Sequence, residues 1–264
     1  MKKVHLVTFA DGGLGYLKGR DLLIKTAKES GWFETISSYD ERRLAEDFPQ
    51  WYNQHSHFIK TNRRGFGYWI WKPKIISSTL SKIPTGDIVL YLDAGCQVNA
   101  EGKARFGLYI DLAYRFEMLC FYLHGTNYTV GRWTKTDLLE HFSVKQDDPL
   151  LSLPQIESGI CFYRNTTTNI LHLRTWSETI ESYDYHFVDD TESRKPEQKY
   201  FIEHRHDQAA LTILHYKYRW GKSIRNENYF PIHWKHNLHP KVFPIAATRF
   251  INSNRTNLLA LNLV

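Results

Sequence analysis

Four short stretches of the chain concentrate side chains able to do polar chemistry. The first is DIVLYLDAG, Asp87 to Gly95. Ile88 to Leu92 is a continuous apolar run, as expected of a strand buried on both faces. Asp93 follows it directly, so Tyr91, Asp93, Ala94 and Gly95 gather at the strand's carboxyl end. A hard cation such as Mg2+ or Mn2+ takes carboxylate oxygens and completes its shell with phosphate oxygens. Asp93 is therefore a candidate metal and diphosphate contact, unless it only caps the turn that follows. The second stretch is EHRHDQAALTIL, Glu203 to Leu214, where His206, Asp207 and Gln208 crowd the start of an amphipathic helix. A helix start favours anionic and polar ligands, although a first-turn acid also stabilises a helix by itself. The third, ESGICFYRN, puts Glu157, Ser158 and Gly159 just ahead of a short strand at Ile160 to Tyr163. A glycine there lets a substrate approach the backbone, or makes a plain tight turn. The fourth, RRGFGYWIWKP, Arg63 to Pro73, sets Lys72 within reach of a phosphate, with at least one of Tyr68, Trp69 and Trp71 expected in the core.

These stretches need a frame to position them. Val4 to Phe9 (VHLVTF) reads as a buried first strand that ends at Asp11-Gly12-Gly13. A helix is expected over Asp21 to Ser30, a short strand over Thr35 to Tyr39, and helix over Arg42 to His57 with Pro49 interrupting it. Pro73 suits the first turn of a helix running to Leu80, where its missing N–H costs nothing. Further on come a strand over Glu117 to Tyr122, a helix over Thr134 to Phe142, a helix over Asn165 to Ser182, a charged surface loop over Asp184 to Lys199 and a helix over His206 to Tyr218. Strands alternating with helices imply an α/β fold with a mostly parallel sheet. Ligands of such sheets sit beyond the carboxyl ends of the strands, which singles out the loops after Phe9 and Leu92.

The bulk properties narrow the function classes. The formal net charge of +6 suits an anionic substrate or surface, but the basic residues form no single run and no nucleic-acid module is present. No nucleic-acid partner is expected. The aromatic share of 15% suits a protein that packs large side chains and stacks on sugar faces. Three widely spaced cysteines suggest neither a disulfide framework nor a metal knuckle, and the cytosol is the simpler compartment. The N-terminus turns polar too early for a signal peptide, and no apolar run approaches membrane-spanning length. A cytoplasmic protein is expected, with peripheral membrane contact left open.

In this order, GYWIWKP, a strand ending in DAGC, ESGICFYRN and HDQ on a helix, the chain resembles bacterial and viral glycosyltransferases of the GT-A fold. Its layout is most similar to retaining galactosyl-, glucosyl- and xylosyltransferases. The resemblance runs from about Val4 to Leu214 and is dense only in these blocks. It implies a Rossmann-like α/β fold with a mostly parallel central sheet flanked by helices. It also implies a single domain over residues 1–264, nucleotide-binding over about 1–125 and acceptor-side over about 126–264. By that resemblance Thr8, Phe9 and Ala10, with Asp11, hold the nucleoside of a UDP- or GDP-sugar. Asp93 takes the first position of an Asp-x-Asp metal motif. Glu157, Ser158 and Gly159 line the sugar or acceptor pocket, and Asp207 and Gln208, with His206, lie against the donor sugar. Gly95 stands where the second metal aspartate is expected, which leaves open how Mn2+ or Mg2+ is coordinated and whether it is required. The late run HWKHNLHPKVFP offers His236 or His239 as a loose counterpart of the family's metal-binding histidine, and Lys241 of its phosphate-binding lysine.

The implied activity is transfer of a sugar from a nucleotide diphosphate to a hydroxyl of a glycan acceptor, as in surface polysaccharide, lipopolysaccharide or glycoprotein synthesis, with retention favoured by the layout. Glu157 or Asp207 could instead serve as the base of an inverting reaction. Two other readings compete. A metal-dependent phosphohydrolase would need a denser ligand set than Asp93 and scattered histidines. A glycan-binding protein with a decayed transferase site would account for Gly95.

Overall fold

The structure, a computed structural model, describes residues 2–125, 127–228 and 242–247; His236, His239 and Lys241 lie outside the described residues. Its frame is a six-stranded mixed sheet in the order β2-β1-β3-β6-β5-β7, formed by β1 (Val4–Phe9), β2 (Thr35–Tyr39), β3 (Ile88–Leu92), β5 (Met118–Tyr122), β6 (Ile156–Arg164) and β7 (Lys222–Arg225). Strands β1, β2 and β3 run parallel, as do β5 and β7, while β6 is antiparallel to both its neighbours. A small antiparallel pair joins β4 (Cys96–Val98) to β8 (Ile245–Ala247).

Helices cover both faces, and strand alternation sorts the core into two layers. On one face Val7, Tyr91, Cys161 and Tyr163 pack with Trp71, Trp176 and Leu211. On the other Leu6, Leu90, Leu92 and Phe162 pack with Leu23, Phe106 and Tyr109. Every residue of β1 and of β3 is buried, which accounts for their unbroken apolar runs.

Punctuation residues set the helix ends. The first helix, Leu14–Ser30, stops at Gly31 in the left-handed conformation. Asp40 caps Glu41–Asp47 through the Arg43 N–H, and Pro49 then opens Pro49–Thr61, so the expected interruption is real. Pro73 lies in the first turn of the Trp71–Lys82 helix. One expectation fails in an informative way. Glu157, Ser158 and Gly159 do not precede a strand but lie inside β6, which is nine residues long. Cys161 pairs with Cys120 and Glu157 with Phe121, so Ser158 to Ile160 bulge out of the ladder with β5. A bulge re-aims side chains, and this one turns Ser158 toward Lys72.

Three histidines are buried around the His206–Lys217 helix, and burial pushes each imidazole down, to about 4 for His206 and for His215 and well below its usual value for His204. These rings stay neutral in the fold but charge near pH 6.5 when unfolded. The unfolded chain therefore binds more protons between pH 6.5 and about 4, and stability is lost as pH falls through that window, at about 1.4 kcal/mol per pH unit for each group. The urea midpoint is expected to fall steadily from pH 7 to pH 5. In His215→Gln the fall should be shallower; an identical slope in the variant would remove His215 from this account.

Candidate active site

The sheet brings Asp93, at the carboxyl end of β3, against the bulge of β6. The Asp93 N–H donates to the Gly159 carbonyl at 2.9 Å, and a Cβ on Gly159 would stand 2.5 Å from Asp93 Oδ2. Glycine is needed here because the carboxylate occupies the space of a side chain. Tyr91, two residues earlier on the same strand face, donates its hydroxyl to Asp93 Oδ1 at 2.6 Å. The Asp93 side chain keeps 47% of its surface open.

Beneath it lies Lys72, whose side chain is only 2% exposed. The first turn of the Trp71–Lys82 helix drives it into the interior. Its ammonium lies 2.8 Å from Asp207 Oδ2 and 3.7 Å from Asp93 Oδ1, and donates to Ser158 Oγ at 3.1 Å. Burial pushes the Lys72 ammonium down, but Asp207 and then Asp93 push it up more strongly, so it stays charged. Burial also pushes the Asp207 carboxyl up, and Lys72 opposes that shift. The lysine expected to reach a phosphate is thus enclosed, and it joins two carboxylates from different elements.

Asp207 sits there because the His206–Lys217 helix is firmly seated. Thr212 Oγ1 accepts from the Ile156 N–H at 3.0 Å and donates toward Gln155 Oε1, at 2.9 Å. Trp176 Nε1 donates to the Asp207 carbonyl at 3.0 Å. Two neighbours of Asp207 carry unsatisfied polar atoms: Nε2 of His206 and Nε2 of Gln208 are buried without a hydrogen-bond partner. His206 Nδ1 faces the Val188 carbonyl at 2.8 Å, which makes Nδ1 the protonated nitrogen and Nε2 an acceptor.

Ahead of Lys72 the chain makes one turn of left-handed helix. Gly65, Phe66, Gly67, Tyr68 and Trp69 have φ of 57, 54, 80, 50 and 62° in succession. Tyr68 N–H donates to the Arg64 carbonyl and Trp69 N–H to that of Gly65, at 2.8 and 3.1 Å. Each non-glycine residue so placed costs on the order of 1–3 kcal/mol, and such strain gathers at functional sites. His206, itself at φ 52°, packs its ring against Tyr68 and Trp69, with centroids 4.8 and 5.6 Å away. The two glycines were the available sequence signal for this turn. Asp190 had no such signal. It accepts from Tyr68 Oη at 2.8 Å and pairs with Arg64 at 3.2 Å at the rim.

A cavity of about 440 Å3 opens at the carboxyl ends of β1 and β2, lined by Ala10, Asp11, Gly12, Leu17, Asp40, Glu41 and Arg42. Val7 pairs with Tyr91, so this end of β1 lies beside the end of β3 that carries Asp93. Thr8 and Phe9 are buried, with Phe9 stacked on Trp71 at 3.9 Å. Asp11 spends its carboxylate on the Gly12 and Glu41 N–H groups, at 2.5 and 2.6 Å. Ala94 and Gly95 pack under the first helix at Gly19, where a Cβ would lie 2.8 Å from the Ala94 carbonyl oxygen. Glu157 is buried and accepts from Asn226 Nδ2 at 2.5 Å. Among the described residues no three His, Cys, Asp or Glu side chains gather into a metal cage. No helix among them is long and apolar enough to cross a membrane.

No family model matches the chain, and no curated protein does. Among solved structures the chain is similar to a glycosyltransferase involved in glycosylation of the major capsid of PBCV-1. That likeness has a TM-score of 0.48 and 12% identity over 92% of this chain and 91% of that one. It is also similar to the apo form of mouse xyloside xylosyltransferase 1, with a TM-score of 0.48 and 10% identity over 96% of this chain and 98% of that one.

Proposed function

We propose that the chain is a retaining glycosyltransferase of GT-A type, a single domain that moves a sugar from a UDP- or GDP-sugar to a glycan hydroxyl. The observation that carries this reading is the meeting of Asp93, Lys72, Ser158 and Asp207 at the carboxyl end of β3, beside the cavity at the end of β1. A nucleoside in that cavity directs its diphosphate toward Asp93 and its sugar toward Asp207. Asp207 offers a carboxylate to the positive charge that grows on the anomeric carbon. Lys72, itself held by Ser158, keeps that carboxylate ionised and aimed. The bond from the anomeric carbon to the diphosphate breaks, the bond to the acceptor oxygen forms on the same face, and the hydroxyl proton leaves on the departing phosphate. Gln208 holds a hydroxyl of the donor sugar with its free Nε2, and His206 lies beside it.

The residues suit a divalent cation of the kind held by one or two carboxylates plus substrate phosphates. Asp93 would hold Mn2+ or Mg2+ through Oδ2, since Oδ1 already accepts from Tyr91. Such an ion, when bound, offsets the negative charge of the leaving diphosphate.

The test is hydrolysis of a panel of UDP- and GDP-sugars without acceptor, together with thermal stabilisation by each nucleotide sugar. At least one should be hydrolysed slowly and should raise the melting temperature; a panel that does neither removes the reading. Asp93→Asn should abolish hydrolysis with the fold intact. Gly159→Ala should cut it by about tenfold or more, because the new methyl displaces Asp93 Oδ2. Full activity in Gly159→Ala would mean that the position of Asp93 does not matter.

A further inference from the structure

The left-handed turn leaves one aromatic ring partly open. Phe66, Tyr68 and Trp71 are buried, whereas Trp69 keeps part of its surface exposed. Gly65 seats that ring, since a Cβ on it would lie 2.4 Å from the indole. Trp69 touches His206 and lies with its ring centroid 6.0 Å from Lys72 Nζ, so it borders the Lys72–Asp207 pair on the His206 side. Beyond His206 the rim is polar and solvated: Asp190 lies 3.7 Å from His206 Nε2, and Arg64 pairs with Asp190 and with Glu203. A partly exposed aromatic ring beside an unpartnered buried acceptor matches what a sugar ring offers, an apolar C–H face edged by hydroxyl donors. A buried acceptor without a partner is uncommon and calls for one.

Two sugars meet in a transferase, and the placement separates them. The donor sugar is tied through its diphosphate to the Asp93 end of β3. Trp69 and His206 lie to the side, toward the solvated rim, from which a second substrate enters. Resting on the transferase reading above, we infer that Trp69 is the stacking platform for the acceptor, that this acceptor is a sugar ring and not a peptide or lipid hydroxyl, and that His206 Nε2 accepts a hydrogen bond from one of its hydroxyls. The cost of the left-handed turn is then explained by the ring it presents. A right-handed turn would send Trp69 elsewhere and leave His206 Nε2 facing only the rim.

The experiment compares wild type, Trp69→Ala, Trp69→Phe and Trp69→Leu with simple methyl glycosides as acceptor probes and a nucleotide sugar that the wild type hydrolyses. Trp69→Ala is expected to raise the acceptor KM about tenfold, equivalent to about 1.4 kcal/mol, and to lower the ratio of transfer to acceptor-free hydrolysis by a similar factor. Trp69→Phe should restore most of that ratio, and Trp69→Leu, of comparable bulk but without a ring, should not. Because Phe and Leu keep the site filled, this comparison stands even where the alanine variant folds poorly. An unaltered acceptor KM in Trp69→Ala and Trp69→Leu, or a parallel loss of transfer and hydrolysis, overturns the inference. Glycoside binding to the protein alone, read by saturation-transfer NMR, separates this inference from the one beneath it. Binding that depends on Trp69 without any donor hydrolysis would sink the transferase reading and keep the platform. Hydrolysis with no Trp69-dependent glycoside binding would do the reverse.

Discussion

Asp207→Asn is expected to lower turnover by about a hundredfold to ten-thousandfold and to lower the melting temperature as well. The loss of turnover follows from removing the carboxylate paired with the buried Lys72, which Ser158 also holds. The loss of stability follows from burial. As a solvated first-turn acid Asp207 would be worth under about 1 kcal/mol, and its removal would hardly move the melting temperature. Here its side chain is 5% exposed and lies 2.8 Å from an ammonium that is 2% exposed. Breaking such a pair from one side costs about 3–5 kcal/mol, because the remaining charge is stranded. Asp93 stays 3.7 Å from Lys72 and softens the loss, so about 3 kcal/mol is expected. In a chain of this size that is roughly 6–12 °C. Kinetics and calorimetry on one preparation test both parts. Turnover that survives would take Asp207 out of the chemistry, whatever the melting temperature does.

What was legible in the sequence was whatever local pattern dictates. VHLVTF and IVLYL are apolar without interruption because β1 and β3 are buried on both faces, and so they could be read. Pro49 marked a break in a helical stretch and Pro73 a helix start, because proline tolerates few other places. The acid after IVLYL could be placed at the end of a strand for the same reason. What was not legible depends on contacts between distant residues. Nothing local in WIWKP says that Lys72 will be enclosed between two carboxylates, since an exposed lysine in a first helical turn reads the same. Glu157 to Gly159 looked like a turn because glycine breaks strand patterns, yet a bulge uses glycine too, and only the pairing of β6 with β5 tells the two apart. The run from Gly65 to Trp69 is hidden for another reason. Bulky residues at positive φ contradict their own preferences, so local reasoning makes Tyr68 and Trp69 right-handed or extended. The two glycines hint at the turn, but the strain is borne by residues that give no hint.

Lys72→Met separates the two roles that a buried ammonium can play. Lys72 is enclosed between Asp207 and Asp93, and on the transferase reading it is a positioning residue that keeps Asp207 ionised. Without it, burial acts on the Asp207 carboxyl unopposed and pushes it further up than in the wild type. The acid limb of the pH–rate profile should therefore move upward in Lys72→Met, and part of the lost turnover should return at higher pH. The stability consequence has a definite sign. The folded carboxyl already lies above its unfolded value in the wild type and lies higher still in the variant, so the folded variant holds the proton more tightly. Its penalty appears as pH rises past the unfolded carboxyl value and fades as pH falls. The gap in stability between wild type and variant should be widest at neutral pH and narrower in acid. In the wild type, where Lys72 is raised by its two carboxylates, that contribution is present throughout this range and is lost only as pH climbs above the ordinary lysine value of 10.5. The double variant Lys72→Met with Asp207→Asn removes both charges, and should recover much of the stability that either single change loses while remaining inactive. Equal gaps at pH 5 and pH 8, an unmoved acid limb, and losses that simply add in the double variant would together show that Lys72 is packing and nothing more.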